Sequence, residues 1–104
     1  MLSYRLLYSE TSGKQIKSLH PQIKPLVKKH IEELKERPFL GKPLERELSG
    51  YYSLRTKKFR VVYDIDHEKH IVRIHYLGHR KDIYELFRQW LSTGQGKEKI
   101  SDHF

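Results

Sequence analysis

The chain has 104 residues, 37% of them hydrophobic and 33% charged, which suits one compact domain with a modest core and a wet surface. It has no cysteine, so disulfides, thiol catalysis and zinc–thiolate sites are excluded. Lys and Arg total 21 against 13 acidic residues, a net charge of +8; a small domain this basic usually meets a polyanion (nucleic acid, an anionic membrane or an acidic protein), although many small basic domains are merely soluble.

The opening "SYRLLYS" alternates Tyr4, Leu6 and Tyr8 with Arg5, Leu7 and Ser9, the period of a strand buried mainly on one side. "SETSGKQIKSLH" then reads as a short helix capped by Ser9 or Thr11, with Ile16 and Leu19 on one face and Gly13 as a weak point. Pro21 suits the first position of the next helix, and Pro25 still falls in its early turns, where a missing N–H costs little. Ile23, Leu26, Val27, Ile31 and Leu34 keep helical spacing until Pro38 stops it.

"FLGKPLERELSG" is a connector punctuated by glycine and proline. Three strands follow. Tyr52 and Leu54 share one face, opposite Tyr51, Ser53 and Arg55. Phe59, Val61, Tyr63 and Ile65 share one face, opposite Arg60, Val62 and Asp64. Val72, Ile74 and Tyr76 stand together, opposite Ile71, Arg73, His75 and Leu77. The short links "TKK" and "DHEK" make this an antiparallel meander. A last helix starts near Lys81 or Asp82, with Ile83, Leu86, Phe87 and Trp90 as its apolar stripe. Residues 93–104 read as a flexible, frayed tail outside a single domain of residues 1–92.

The order is β-α-α-β-β-β-α. The fold class is α+β: a four-stranded, largely antiparallel sheet with a mixed edge, two N-terminal helices on one face and a C-terminal helix. The second sheet face carries Tyr51, Ser53, Arg55, Arg60, Arg73 and His75. Its cations repel one another unless an anion sits among them. No segment is long and apolar enough to span a bilayer, so no membrane is expected and the cytoplasm is the expected location.

Candidate sites gather on the basic stretches. In "RTKKFR", Arg55 and Arg60 offer forked donors for phosphate, and Lys57 and Lys58 add point charges, although a charged turn alone would also use them. Arg60 interrupts an apolar strand, where an unpaired charge is costly, and Asp64 lies too far along that strand to answer it. No histidine and carboxylate set shows ligand spacing, so neither a metal nor another cofactor is expected. In "YLGHRKDIYELF", Arg80 and Tyr84 are four residues apart just beyond a strand end. A helix starting by Lys81 puts both on one side of its first turn, near its free N–H groups. A phenol among cations suits a proton acceptor. A capped helix start with solvated charges explains the same residues without function.

The pattern "GYYSLRTKKFRVVYDID" followed by "HIVRIHYLGHRKDIY" resembles the RelE branch of the RelE/ParE toxin superfamily, over roughly residues 2 to 92. The "LR…FRVVYDI" strand pair and "GHRKDIY" carry the likeness. It implies a toxin of a type II toxin–antitoxin pair: a ribosome-dependent, metal-independent endoribonuclease that cuts mRNA. The message's own 2′-hydroxyl attacks the adjacent phosphorus, leaving a 2′,3′-cyclic phosphate and a 5′-hydroxyl. By position, Arg60 resembles the arginine that steadies the phosphate. Arg80 resembles the one that stabilises or protonates the leaving 5′-oxygen, and Tyr84 the general base. Arg55, Lys57, Lys58, Arg73, His75, His79 and Lys81 are the expected RNA contacts. Where some members carry lysines, this chain has Tyr51 and Ser53. The implied partners are the ribosome, mRNA and an acidic antitoxin, with a monomeric toxin alone and a hetero-oligomer in the pair. Two other functions fit the same fold: a ParE-like inhibitor of DNA gyrase acting by binding, and a non-catalytic nucleic-acid-binding module.

Overall fold

In a computed structural model, residues 3–94 and 99–101 are described. The elements are β1 (Arg5–Ser9), α1 (Glu10–Lys17), α2 (Lys24–Glu33), β2 (Lys42–Pro43), β3 (Tyr51–Thr56), β4 (Phe59–Asp66), β5 (Ile71–His79), α3 (Ile83–Ser92) and β6 (Ile100–Ser101). One-turn 3-10 helices at Pro38–Leu40 and Arg46–Leu48 flank β2. The α+β class and the order of the main elements are as the periodicity predicts. The sheet has six strands rather than four, in the order β2-β3-β4-β5-β1-β6. The two additions are two-residue edge strands, too short for any period to reveal. Of the expected tail, Ile100 and Ser101 pair antiparallel with Ser9 and Tyr8, and residues 95–98 and 102–104 lie outside the described residues.

Strands β3, β4 and β5 form the antiparallel meander, and β1 runs parallel to β5. Such a parallel neighbour needs a long crossover, here the whole of α1 through β4. Ser9 ends β1 and caps α1, its Oγ accepting from the Ser12 N–H at 3.0 Å. Helix α2 begins at Lys24 rather than Pro21, after a turn in which the His20 carbonyl accepts from the N–H groups of Ile23 and Lys24. Pro25 then sits in the first turn, where its missing N–H goes unused.

The sheet buries both faces. On one, α1 and α2 close over Leu6, Tyr8, Leu54, Val61, Tyr63, Val72, Ile74 and Leu77, with Ile16, Val27, Ile31 and Leu34 as the helical half of the core. On the other, Leu48, Val62, Ile83, Phe87 and Trp90 form a second core beneath α3. The face read as basic is therefore partly roofed by α3. Its stripe is Ile83, Phe87 and Trp90; Leu86, counted in the stripe from sequence, is 37% exposed.

One register shift reorganises β5. Val62 pairs with Tyr76 and Tyr63 with Ile74, which leaves His75 without a partner on β4. This β-bulge inverts the alternation beyond it. Tyr76 and Leu77 consequently exchange the faces expected of them: Leu77 joins the α1/α2 core and Tyr76 packs with α3.

Beyond Ile74 the edge of β5 runs past β1, and α1 covers it with side chains. Ser12 Oγ donates to the Ile74 carbonyl at 3.0 Å and Ser9 Oγ to the His75 carbonyl at 2.6 Å. Gln15 Oε1 accepts from the Leu77 N–H at 2.7 Å. Residues three apart on and before one helix thus satisfy a strand edge that would otherwise offer a template for pairing.

Candidate nucleic-acid interface and active site

The site lies on the α3 face, at the end of the sheet near the β3–β4 turn. Arg60 is two residues from Val62, so both point to that face. Arg55 is the register partner of Arg60, and Gly78 is its partner on the other side. Cross-strand partners share a face, so the two guanidinium groups emerge side by side. Among the described residues neither is ion-paired. Nη1 of Arg60 donates to Ser53 Oγ at 3.1 Å.

Gly78 is small for a reason. A Cβ there would stand 2.9 Å from Cδ1 of the fully buried Ile83, the first residue of α3. Lacking it, the helix start closes down on β5 beside Arg60. Tyr84, the next residue, packs against the second core. Together with Lys42, Pro43, Leu44, Glu45, Arg46, Leu48 and Arg88 it walls an open cleft of about 280 Å³. Lys42 pairs in register with Ser53, which extends the basic face to the sheet edge.

Arg80 is outside the helix. Asp82 is the N-cap of α3, and its N–H is bonded to the His79 carbonyl, so Arg80 falls in the preceding turn. The expected start of the helix by Lys81 is not what forms: α3 starts at Ile83, so Arg80 does not share its first turn with Tyr84. What places Arg80 is its backbone N–H, which donates to the Lys58 carbonyl at 2.9 Å. It is thereby tied to the two-residue turn of Lys57 and Lys58, where Lys57 has φ +59°. Arg80 and Lys81 are exposed.

Three expected contacts are placed otherwise. Arg73 and His75 have an anion of their own. Arg73 Nε and Nη2 donate to Asp64 at 2.9 and 2.8 Å, and His75 Nε2 bonds Asp64 Oδ1 at 2.8 Å. Burial pushes the Asp64 carboxyl up, but the hydrogen bonds and charges of His75 and Arg73 outweigh it and hold it at about 2. Arg73 is held in turn above its ordinary value by its bonds to Asp64. Tyr51 and Trp90 border this cluster, with ring centroids 5.4 and 6.4 Å from His75. The face's need for an anion is thus met internally at this end and unmet at Arg55 and Arg60. His79 belongs to the opposite face: it pairs with Phe59, and the two rings are 4.8 Å apart.

Sequence reading missed Lys42, and it placed Ser53 on the basic face without giving it a role. Neither carries a signal, since a two-residue strand has no period and a strand serine looks solvated. Among the described residues no cluster of three or more histidines and carboxylates gathers as a metal site, and no helix is long and apolar enough to cross a membrane.

Residues 4–84 match the model of the ParE toxin of the type II toxin–antitoxin system parDE. The toxin RelG of Mycobacterium tuberculosis is 35% identical over 85 residues, 80% of this chain and 98% of that protein. The toxin RelE of the same organism is 43% identical over 47 residues, 45% of this chain and 48% of that one. The RelBE2 toxin–antitoxin complex of M. tuberculosis contains a chain of TM-score 0.70 and 33% identity, matching 76% of this chain and all of that one. The isolated RelE toxin of Escherichia coli shares the fold, with TM-score 0.65 and 22% identity over 86% of this chain and 99% of that chain. Fold and family define the class: a toxin of a type II toxin–antitoxin system. Within that class the chain belongs to the RelE/ParE superfamily.

Proposed function

We propose that the protein is a RelE-like endoribonuclease that cuts mRNA on the ribosome. The observation that carries this reading is the pair Arg55 and Arg60, register partners that have no carboxylate partner among the described residues, on the face where Tyr84 lines the cleft. Arg60 holds the non-bridging oxygens of the scissile phosphate. The 2′-oxygen attacks phosphorus, and the bond to the 5′-oxygen breaks. Tyr84 is the base for the 2′-hydroxyl proton, and Arg80 stabilises or protonates the departing 5′-oxygen. The products are a 2′,3′-cyclic phosphate and a 5′-hydroxyl. Fixed cations beside a poised acid–base group supply the catalysis, and no metal is required. Arg55, Lys57, Lys58 and Lys81 bind the RNA backbone, and Lys42 extends that track. Arg73 and His75 are left out of it because Asp64 occupies them. An acidic antitoxin is the partner this basic face suits, and the reading places the toxin in the cytoplasm with the ribosomes.

The test is to add the protein to translating ribosomes and map mRNA 5′ ends. The parent is expected to generate new, codon-associated ends. Arg80→Ala and Tyr84→Phe are each expected to lose at least about tenfold in rate, the scale of removing an acid–base or charge-stabilising group. If the parent yields no new ends, the nuclease reading fails. If both variants cut like the parent, the assignment of Arg80 and Tyr84 fails.

The match to a ParE toxin model favours a second reading, a gyrase inhibitor that acts by binding. Inhibition of DNA supercoiling by the parent, without RNA cleavage, would select it.

A further inference from the structure

Arg60 is held in place without being neutralised. Among the described residues its one hydrogen bond to a side chain is from Nη1 to Ser53 Oγ at 3.1 Å. Ser53 is 1% exposed, between Lys42 of β2 and Val62 of β4 in the register. A strand position this dry favours Val or Thr, and a buried hydroxyl is costly unless its bonds are made. Here the hydroxyl accepts from a guanidinium. A carboxylate at the same place would orient Arg60 as firmly, as Asp64 does Arg73, but would cancel the charge that a phosphate needs. A neutral acceptor orients the fork and leaves its charge and its other N–H groups available for two phosphate oxygens.

We propose that Ser53 is a positioning residue for Arg60, a buried neutral acceptor that sets the guanidinium for a bidentate hold on the scissile phosphate. This rests on the reading of Arg60 as the phosphate-holding group. The charge comes from Arg60, and the serine directs it.

The test compares Ser53→Ala, Ser53→Thr, Arg60→Ala and the Ser53→Ala/Arg60→Ala pair in single-turnover cleavage on mRNA-programmed ribosomes. Ser53→Ala is expected to slow cleavage about 5- to 20-fold at saturating ribosomes, with the ribosome concentration for half-maximal rate changed less than about twofold, the pattern of a transition-state contact. Ser53→Thr, which keeps Oγ, is expected to stay within about threefold of the parent. In the Arg60→Ala background the loss of Oγ is expected to cost nothing further, since coupled residues are not additive. Equal rates for Ser53→Ala and the parent, or independent losses that multiply, would overturn the proposal. Nitrogen-15 spectra of the isolated protein read the positioning without any cleavage. The Arg60 Nε–H is expected to be ordered in the parent and in Ser53→Thr, and motionally averaged in Ser53→Ala. Undiminished order in Ser53→Ala refutes positioning by Ser53. A parent that shows this order but cuts no mRNA refutes instead the nuclease reading and, with it, the phosphate role of Arg60.

Discussion

Arg55 and Arg60 face each other directly across β3 and β4, and among the described residues neither is ion-paired. Like charges directly opposed destabilise a sheet by a fraction of a kcal/mol. In the proposed function that cost is offset when RNA phosphate sits between them. Arg55→Thr is expected to raise the unfolding free energy by about 0.5 kcal/mol and to weaken binding to RNA. Denaturant titration and an RNA-binding isotherm on the same variant check the two opposite signs.

Lys57 carries the same signature in its backbone. It takes φ +59° in a two-residue turn, a conformation that costs an L side chain roughly 1 kcal/mol and glycine little. Lys57→Gly is expected to stabilise the hairpin by up to about 1 kcal/mol, reduced by glycine's greater freedom when unfolded. It is also expected to flatten the salt dependence of RNA binding by about one phosphate contact. A stabilised variant with an unchanged salt slope would show Lys57 to be a turn residue only.

Asp64 stabilises the fold in a defined pH window. Its folded value of about 2 lies below its ordinary 3.8, so its stabilisation is complete above about pH 4 and is lost as pH falls toward 2. The shift corresponds to about 2 kcal/mol. Asp64→Asn is expected to cost about 2 kcal/mol at neutral pH, because it leaves Arg73 and His75 beneath α3 without their anion, and to flatten that acid limb. Unfolding curves between pH 2 and 7 on parent and variant decide it.

Tyr63 fastens the β2 connector to the sheet. Its hydroxyl donates to the Pro38 carbonyl at 2.7 Å and accepts from the Gly41 N–H at 2.9 Å, in a setting dry enough to push the phenol up to about 12. Tyr63→Phe is expected to cost about 1–3 kcal/mol, since it strands two buried backbone groups. Gly41→Ala is expected to cost a similar amount by another route: its Cβ would stand 2.7 Å from Tyr63 Oη and 3.0 Å from the Ser53 carbonyl. Because Ser53 and Lys42 lie beside this contact, both variants are expected to lose cleavage activity beyond their loss of stability. Single-turnover rates measured well below the melting temperature check that excess.

Much of this protein was legible in its residues. The period of two in β3 and β4 sorts Leu54, Val61 and Tyr63 from Ser53, Arg55 and Arg60, and the structure keeps that sorting because the strands pair without a slip. Helical spacing finds Val27 and Ile31 in α2 and Phe87 and Trp90 in α3, because burial of one face is what makes a short helix stable. Net charge and the "RTKKFR" run mark a basic surface before any coordinate is known. Local patterning therefore determined the class of fold, the bases of its cores and the sign of its surface.

The tertiary structure decided the rest, because the rest depends on what lies across from each residue and not on what precedes it. The bulge at His75 is set by pairing between β4 and β5, and it alone puts Leu77 in one core and Tyr76 in the other. Arg73 and Arg60 look alike as strand arginines, yet one faces Asp64 in register and the other faces Arg55. Coulomb energy and hydrogen-bond geometry fall off within a few ångströms, so that choice of neighbour separates an arginine in an ion pair from one that has none among the described residues.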